Sequence, residues 1–163
     1  MQAITGFSLG VTCSTNGLRN PLYFNHQDTS TFIAGQVIEA QYSCTLPNGY
    51  AGYLVVTSFN CPFEESTEFS LLDEAFKLVA TTSLAQAYGS LLLYAHWPVA
   101  NNRLRLHYYG QFVLDLTISS SRFWLNTQPK LTLSEVVDPQ SDPRTAASMA
   151  ELDQRLAAID KSL

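Results

Sequence analysis

The sequence predicts an all-β fold, an antiparallel sandwich or jelly roll of about eight strands with a short C-terminal amphipathic helix, on three observations. Only 14% of the 163 residues are charged, whereas 46% are hydrophobic and 12% aromatic; an average soluble domain carries roughly 25% charge. Through residue 131 the apolar residues come in short alternating runs bounded by Gly, Pro and Asn, which is how half-buried strands read. After it the apolar spacing becomes helical and charge density rises, from 8 acids and 6 bases in 1–131 to 6 acids and 3 bases in 132–163.

The expected strands, in order, are Phe7–Cys13, Phe32–Cys44, Tyr53–Asn60, Phe76–Thr82, Leu91–Trp97, Arg103–Tyr109, Phe112–Ser119 and Arg122–Asn126. Turns are expected at Asn16–Gly17, Asn20–Pro21, Pro47–Asn48–Gly49 and Asn101–Asn102, where Asn and Gly tolerate positive φ and Pro presets φ. Ser70–Val79 is ambiguous. Ser70 and Asp73 have capping-box spacing, and Leu71, Leu72, Ala75, Phe76 and Val79 recur helically, so a short helix competes with a strand there.

The segment Leu91–Ser119 specifies its own register. A two-residue turn at Asn101–Asn102 pairs Ala100 with Arg103, Trp97 with Leu106 and His96 with His107. Leu93, Ala95, Trp97, Leu104, Leu106 and Tyr108 then share one face, and Tyr94, His96, Arg105, His107 and Tyr109 the other. Bringing Phe112, Leu114, Leu116 and Ile118 onto the apolar face selects a three-residue loop, Tyr109–Gly110–Gln111, with positive φ at Gly110 or its neighbour. That loop sets Arg105 opposite Asp115, a cross-strand charge pair.

Three segments follow: a β-sandwich over 1–131, a linker over 132–145 carrying Asp138–Pro139 and Asp142–Pro143, and a helix over 146–163. Ser141 or Asp142 can cap a helix beginning near Pro143. Met149, Leu152, Leu156, Ile159 and Leu163 are spaced 3, 4, 3, 4, the a/d seam of a coiled coil. Two heptads do not hold an oligomer unaided, so the seam either docks on the β-domain or joins copies already in contact.

Chemistry-bearing patterns are sparse. A net charge of -5 offers no footprint for a nucleic-acid backbone. No apolar run reaches the roughly 18 residues that span a bilayer, so no membrane insertion is expected. The first thirty residues do not read as a signal peptide, and a domain within a longer polypeptide fits as well as an independent chain. Cys13, Cys44 and Cys61 lack the C-x-x-C spacing of zinc or dithiol chemistry and read as core thiols. Glu64, Glu65, Glu68, Asp73 and Glu74 are dense enough to attract Ca²⁺, but they show no EF-hand pattern and read as a solvated acidic loop. No nucleophile elbow, zinc-protease or phosphate-binding motif is present, and His96 and His107 have only the distant His26 as a third metal ligand. The sequence therefore leads to no enzyme, no metal and no cofactor.

Tyr94, His96, Arg105, His107 and Tyr109 are the candidate ligand or partner surface, since exposed aromatics bury apolar area on a sugar ring or protein without desolvating a charge. Packing against another layer is the competing explanation of the same face. The eight-strand spacing, low charge, strands such as Ser90–Tyr94 and Gln111–Leu116, and the helical tail together resemble the jelly-roll protruding domains of small RNA-virus capsids and viral fibre heads. Lectins and trimeric TNF-like domains share that pattern. The resemblance implies a homo-trimer or homo-dimer, loop contact with a cell-surface glycan or receptor, and a virion-surface location; no motif anchors any binding residue. The expected function is thus a structural or attachment module, with a lectin-like carbohydrate-binding module and a small hydrolase as alternatives.

Overall fold

The computed structural model describes residues 1–10, 18–59, 66–85, 91–123 and 126–160. Its strands are β1 (Gln2–Ala3), β2 (Phe7–Leu9), β3 (Arg19–Phe24), β4 (Gln27–Ala34), β5 (Val37–Thr45), β6 (Ala51–Ser58), β7 (Ser66–Asp73), β8 (Leu78–Ala85), β9 (Leu93–Ala100), β10 (Arg103–Tyr108), β11 (Phe112–Phe123) and β12 (Asn126–Glu135). A 3-10 turn (Pro139–Ser141) leads into helix α1 (Pro143–Asp160).

The strands form three antiparallel sheets: β1-β5-β6-β7-β8, β12-β11-β10-β9 and β2-β3-β4. The five-stranded sheet lies in the middle. One of its faces, through Tyr42, Leu54, Val56, Phe69 and Leu71, packs on Leu104, Leu106, Leu114 and Leu116 of the four-stranded sheet. The opposite face gives Val55 and Leu72 to a smaller core with Phe7, Leu22 and Ile33. Rings of Phe7, Phe24, Tyr53 and Phe76 close that core at centroid separations of 4.7 to 5.9 Å. Residues pointing both ways from one sheet are thus buried, which is why Leu54–Val56 and Leu71–Leu72 read as continuous apolar runs.

The sandwich is as expected, but the strand order is not that of a jelly roll. β5 to β8 and β9 to β12 each run as a meander, whereas a jelly roll interleaves its strands through Greek-key returns.

Several local expectations are corrected. Asn20–Pro21 lies inside β3, not in a turn, and the β3–β4 hairpin turns instead at Asn25–His26, both at positive φ as a type I′ turn requires. The expected strand Phe32–Cys44 breaks at Gly35, whose φ is +97° and where a Cβ would fall on the Thr57 side chain. Ser70–Val79 is no helix: β7 and β8 pair across a tight turn in which Asp73 Oδ1 accepts from the amides of Ala75 (3.0 Å) and Lys77 (2.9 Å). β12 runs on to Glu135, past the expected end of the β-domain at 131, and α1 begins at Pro143. The turn at Pro47–Gly49 is as expected, with Gly49 at φ +87°. The expected turn at Asn16–Gly17 lies outside the described residues, as do Cys13, Cys61, Glu64, Glu65 and Leu163.

The β10–β11 hairpin adopts the expected register, Arg105 against Asp115, with positive φ at both Gly110 and Gln111. The β9–β10 register differs. Arg103 pairs with Ala100 as expected, but Arg105 then meets Trp97 and Leu106 meets His96, because Val99 is taken up in a bulge. Neither Asn101 nor Asn102 has positive φ, so the turn is not the type I′ that matches strand twist, and the bulge absorbs the mismatch. A second shift leaves Tyr94 without a register partner before Leu93 meets Tyr108. Trp97 and Ala95 therefore join the face of Arg105 and His107, while His96 turns toward the core.

Candidate functional site

The outer face of the four-stranded sheet is covered by α1, and the polar residues singled out in the sequence are largely the means of attachment. Arg105 projects from the middle of β10, where its neighbours leave it 8% exposed. Its Nε and one terminal nitrogen donate to the two carboxylate oxygens of Asp115 on β11, at 2.8 and 3.0 Å. The other terminal nitrogen donates to Thr145 Oγ1 at 2.9 Å and to Asp142 Oδ2 at 3.4 Å, both at the start of α1. One planar guanidinium thereby joins two strands and a helix. Hydrogen bonding to Asp115 raises the Arg105 pKa further above its usual value. Asp142 caps α1: its carboxylate accepts from the Thr145 amide at 3.0 Å and from the Thr145 hydroxyl, and these bonds hold its pKa below the usual carboxylate value.

His107, two residues along β10 and fully buried, shares a hydrogen bond of 2.8 Å between its Nδ1 and Ser148 Oγ. The Tyr94 ring stands edge-on to it at 5.3 Å. Burial pushes the His107 pKa down, against a smaller upward pull from Asp153. Its Nε2 has no partner among the described residues. Beyond it, Tyr94 meets Tyr109 edge-on at 5.4 Å, the Arg155 guanidinium lies 5.8 Å from the Tyr94 ring, and Gln111 donates to Asp153. On the other flank Arg144 lies over buried Trp97 at 5.1 Å. Met149 and Leu152 supply the apolar part of the contact.

His96 departs from this group. Its Nδ1 lies 2.6 Å from Tyr42 OH on the middle sheet. Burial lowers its pKa and raises that of Tyr42 to about 12. The five candidate surface residues are therefore not one exposed face. Arg105 and His107 are buried beneath the helix, Tyr94 is half-buried beside it, His96 bonds toward the middle sheet, and Tyr109 alone is well exposed, at 42%. Of the expected seam, Met149 and Leu152 dock in cis, Leu156 and Ile159 face outward, and Leu163 lies outside the described residues.

Two depressions border these elements. A cleft of about 290 Å³ between β9 and α1 is lined by His96, Trp97, Arg144, Ser148 and Glu151. A second, of about 560 Å³, lies where the turns at Pro47 and Asn101 meet, among Thr45, Asn101, Asn102, Ser119 and Ser120, and none of the side chains lining it is charged. The Ser148–His107 pair invites comparison with a nucleophile and its base, but the imidazole has no solvent access and no carboxylate among the described residues orients its second nitrogen. Cys44 is buried, with its thiol pushed up to about 11 by that burial. Among the described residues no group of three His, Cys, Asp or Glu could hold a metal ion, and no helix is long and apolar enough to cross a membrane.

Sequence reasoning placed Trp97 on the opposite face and missed Asp142's grip on Arg105, Thr145, Ser148 and Asp153. Thr145 could have been found, since it lies four residues before Met149 and so continues the seam one step upstream. Fold and site together define an antiparallel sandwich with a polar-clamped terminal helix. Comparison with family models, curated proteins and solved structures gave no match to this chain.

Proposed function

We propose that this chain is a non-enzymatic structural and attachment module that assembles with copies of itself, as a domain projecting from a viral capsid or fibre would at the virion surface. The observation that carries this reading is the way the helical stripe outruns its sheet. Met149 and Leu152 are 6% and 0% exposed, whereas Leu156 and Ile159, on the same stripe, are 39% and 55% exposed. Leu92 and Tyr109, 44% and 42% exposed, lie at that end of the sheet, where the Tyr109 amide donates to the Leu92 carbonyl. Apolar side chains grouped at one edge mark a contact surface, and burying each Leu or Ile contributes roughly 1.5 to 3 kcal/mol. Low overall charge adds little repulsion between copies.

Light scattering on the full chain and on a Leu156→Glu, Ile159→Glu variant tests this. A dimer or trimer at tens of micromolar for the native chain, and a monomer for the variant, is the expected result. A monomeric native chain refutes self-association, and an oligomer from both places the interface on the sandwich.

A second reading, binding of a neutral carbohydrate, is favoured by the depression between the Pro47 and Asn101 turns, whose amides and hydroxyls suit sugar hydroxyls. A glycan array is expected to show binding that Asn101→Lys removes; retention of the same glycans by that variant excludes the turn site.

A further inference from the structure

We propose that α1 is an acid-released cover: protonation of His107 swings the helix off the outer face of β9, β10 and β11, about its Asp142 end. The inference goes beyond the assembly reading and does not depend on it, because helix docking can be measured in a monomer.

The geometry at His107 carries the argument. The ring is 0% exposed and lies between β10 and α1, so it is buried only while the helix is docked. One nitrogen is engaged by Ser148, and the other has no partner among the described residues. A neutral imidazole meets these conditions with Nδ1–H donating to the Ser148 oxygen and Nε2 left as a bare acceptor. The imidazolium carries a proton on both nitrogens. Protonation then places a charged donor where no acceptor waits, and a buried unmatched donor is far more costly than a missing bond in water.

The groups facing this ring decide whether a proton is nonetheless welcome. β9 presents the Tyr94 ring, with Tyr109, just past the end of β10, edge-on to it; β10 presents Arg105; β11 presents Val113 opposite and Asp115 beyond it. α1 contributes Ser148 and Asp153, with Glu151 and Arg155 reaching the far side of Tyr94. Asp153 favours the imidazolium, but its carboxylate is taken by Gln111. Asp115 is held by Arg105 and, at 3.7 Å, by Arg103. Burial outweighs Asp153, and the His107 pKa lies below its ordinary value of about 6.5.

The direction of the linkage follows. A released His107 titrates near its ordinary value and a docked one lower, so the released state binds more protons between the two. Docking is at full strength above the ordinary value, weakens as pH falls through it, and weakens no further below the docked value. The clamp at the other end behaves differently. Asp142, held low by Thr145, stays ionised through this range, so Arg105 keeps the helix start while its middle lets go. Release uncovers Met149, Leu152 and Trp97 and makes one continuous stripe with Leu156 and Ile159.

Amide hydrogen exchange of residues 143–160 in the full chain, corrected for intrinsic rates, tests this from about pH 7.5 to about pH 5. Protection of α1 is expected to fall by roughly tenfold for each unit by which docking depresses the His107 pKa, while β6 amides keep theirs. His107→Gln abolishes the fall. His96→Gln, altering the half-buried imidazole that bonds to Tyr42 instead, preserves it. Protection independent of pH, an equal fall in His107→Gln, or a fall shared by β6 overturns the proposal. Should His107→Gln not fold, proton NMR titration of the native His107 ring decides: an apparent pKa at or above about 6.5 refutes it, and a lower one with α1 amide shifts moving in step supports it.

Discussion

Arg105 illustrates how a single side chain ties the sheet face to the helix. Its bidentate bond to Asp115 spans adjacent strands, and its remaining nitrogen reaches Thr145 and Asp142. At 8% and 7% exposure the two charges are largely desolvated, so their value lies in being paired. Asp115→Ala leaves the guanidinium buried with only the weaker contacts at the helix start. Removing one partner of a buried pair costs about 3 to 5 kcal/mol; with Asp142 still in reach the lower end, about 3 kcal/mol, is expected from urea unfolding. An apolar pair, Arg105→Met with Asp115→Leu, is expected to recover much of that loss. A single-variant cost below about 1 kcal/mol would instead identify a surface-type pair.

At the scale of elements, legibility followed local constraint. The β10–β11 hairpin was readable because loop length, a glycine and two alternating runs all demanded one register. β9 was not, because its bulges at Val99 and Tyr94 depend on backbone angles that the residue types leave open; Asn tolerates positive φ but does not require it. That slip by one residue exchanged the faces of His96 and Trp97, which dissolved the candidate surface of two opposed histidines. Ser70–Val79 misled for another reason. When a sheet is buried on both faces, adjacent apolar residues such as Leu71 and Leu72 mimic helical spacing, and periodicity cannot separate the two. The turn that ends β7 also holds Phe76 at φ +62°, a conformation no sequence rule assigns to phenylalanine. The terminal helix was readable from its 3-4 spacing and Asp142 cap, but not the point at which its seam leaves the sheet. That point depends on where β10 and β11 end beneath it, which is a property of the partner surface.

For the whole molecule, the arrangement of layers predicts how stability is shared. The middle sheet contributes Leu71 to the larger core and Leu72 to the smaller, so neighbouring residues of one strand anchor two interiors. Neither interior can be lost without exposing one face of that sheet, and the exposed apolar area penalises any state that keeps the rest. The chain is therefore expected to unfold in one transition, with circular dichroism and tryptophan fluorescence coincident. Leu71→Ala and Leu72→Ala, both fully buried positions, are each expected to cost about 2 to 5 kcal/mol and to move that same transition. A separate early transition in Leu72→Ala alone, with the fluorescence change still at its native midpoint, would mean that β2, β3 and β4 unfold independently. In that case the middle sheet would support one core rather than couple two, and β2–β4 would be a peripheral layer.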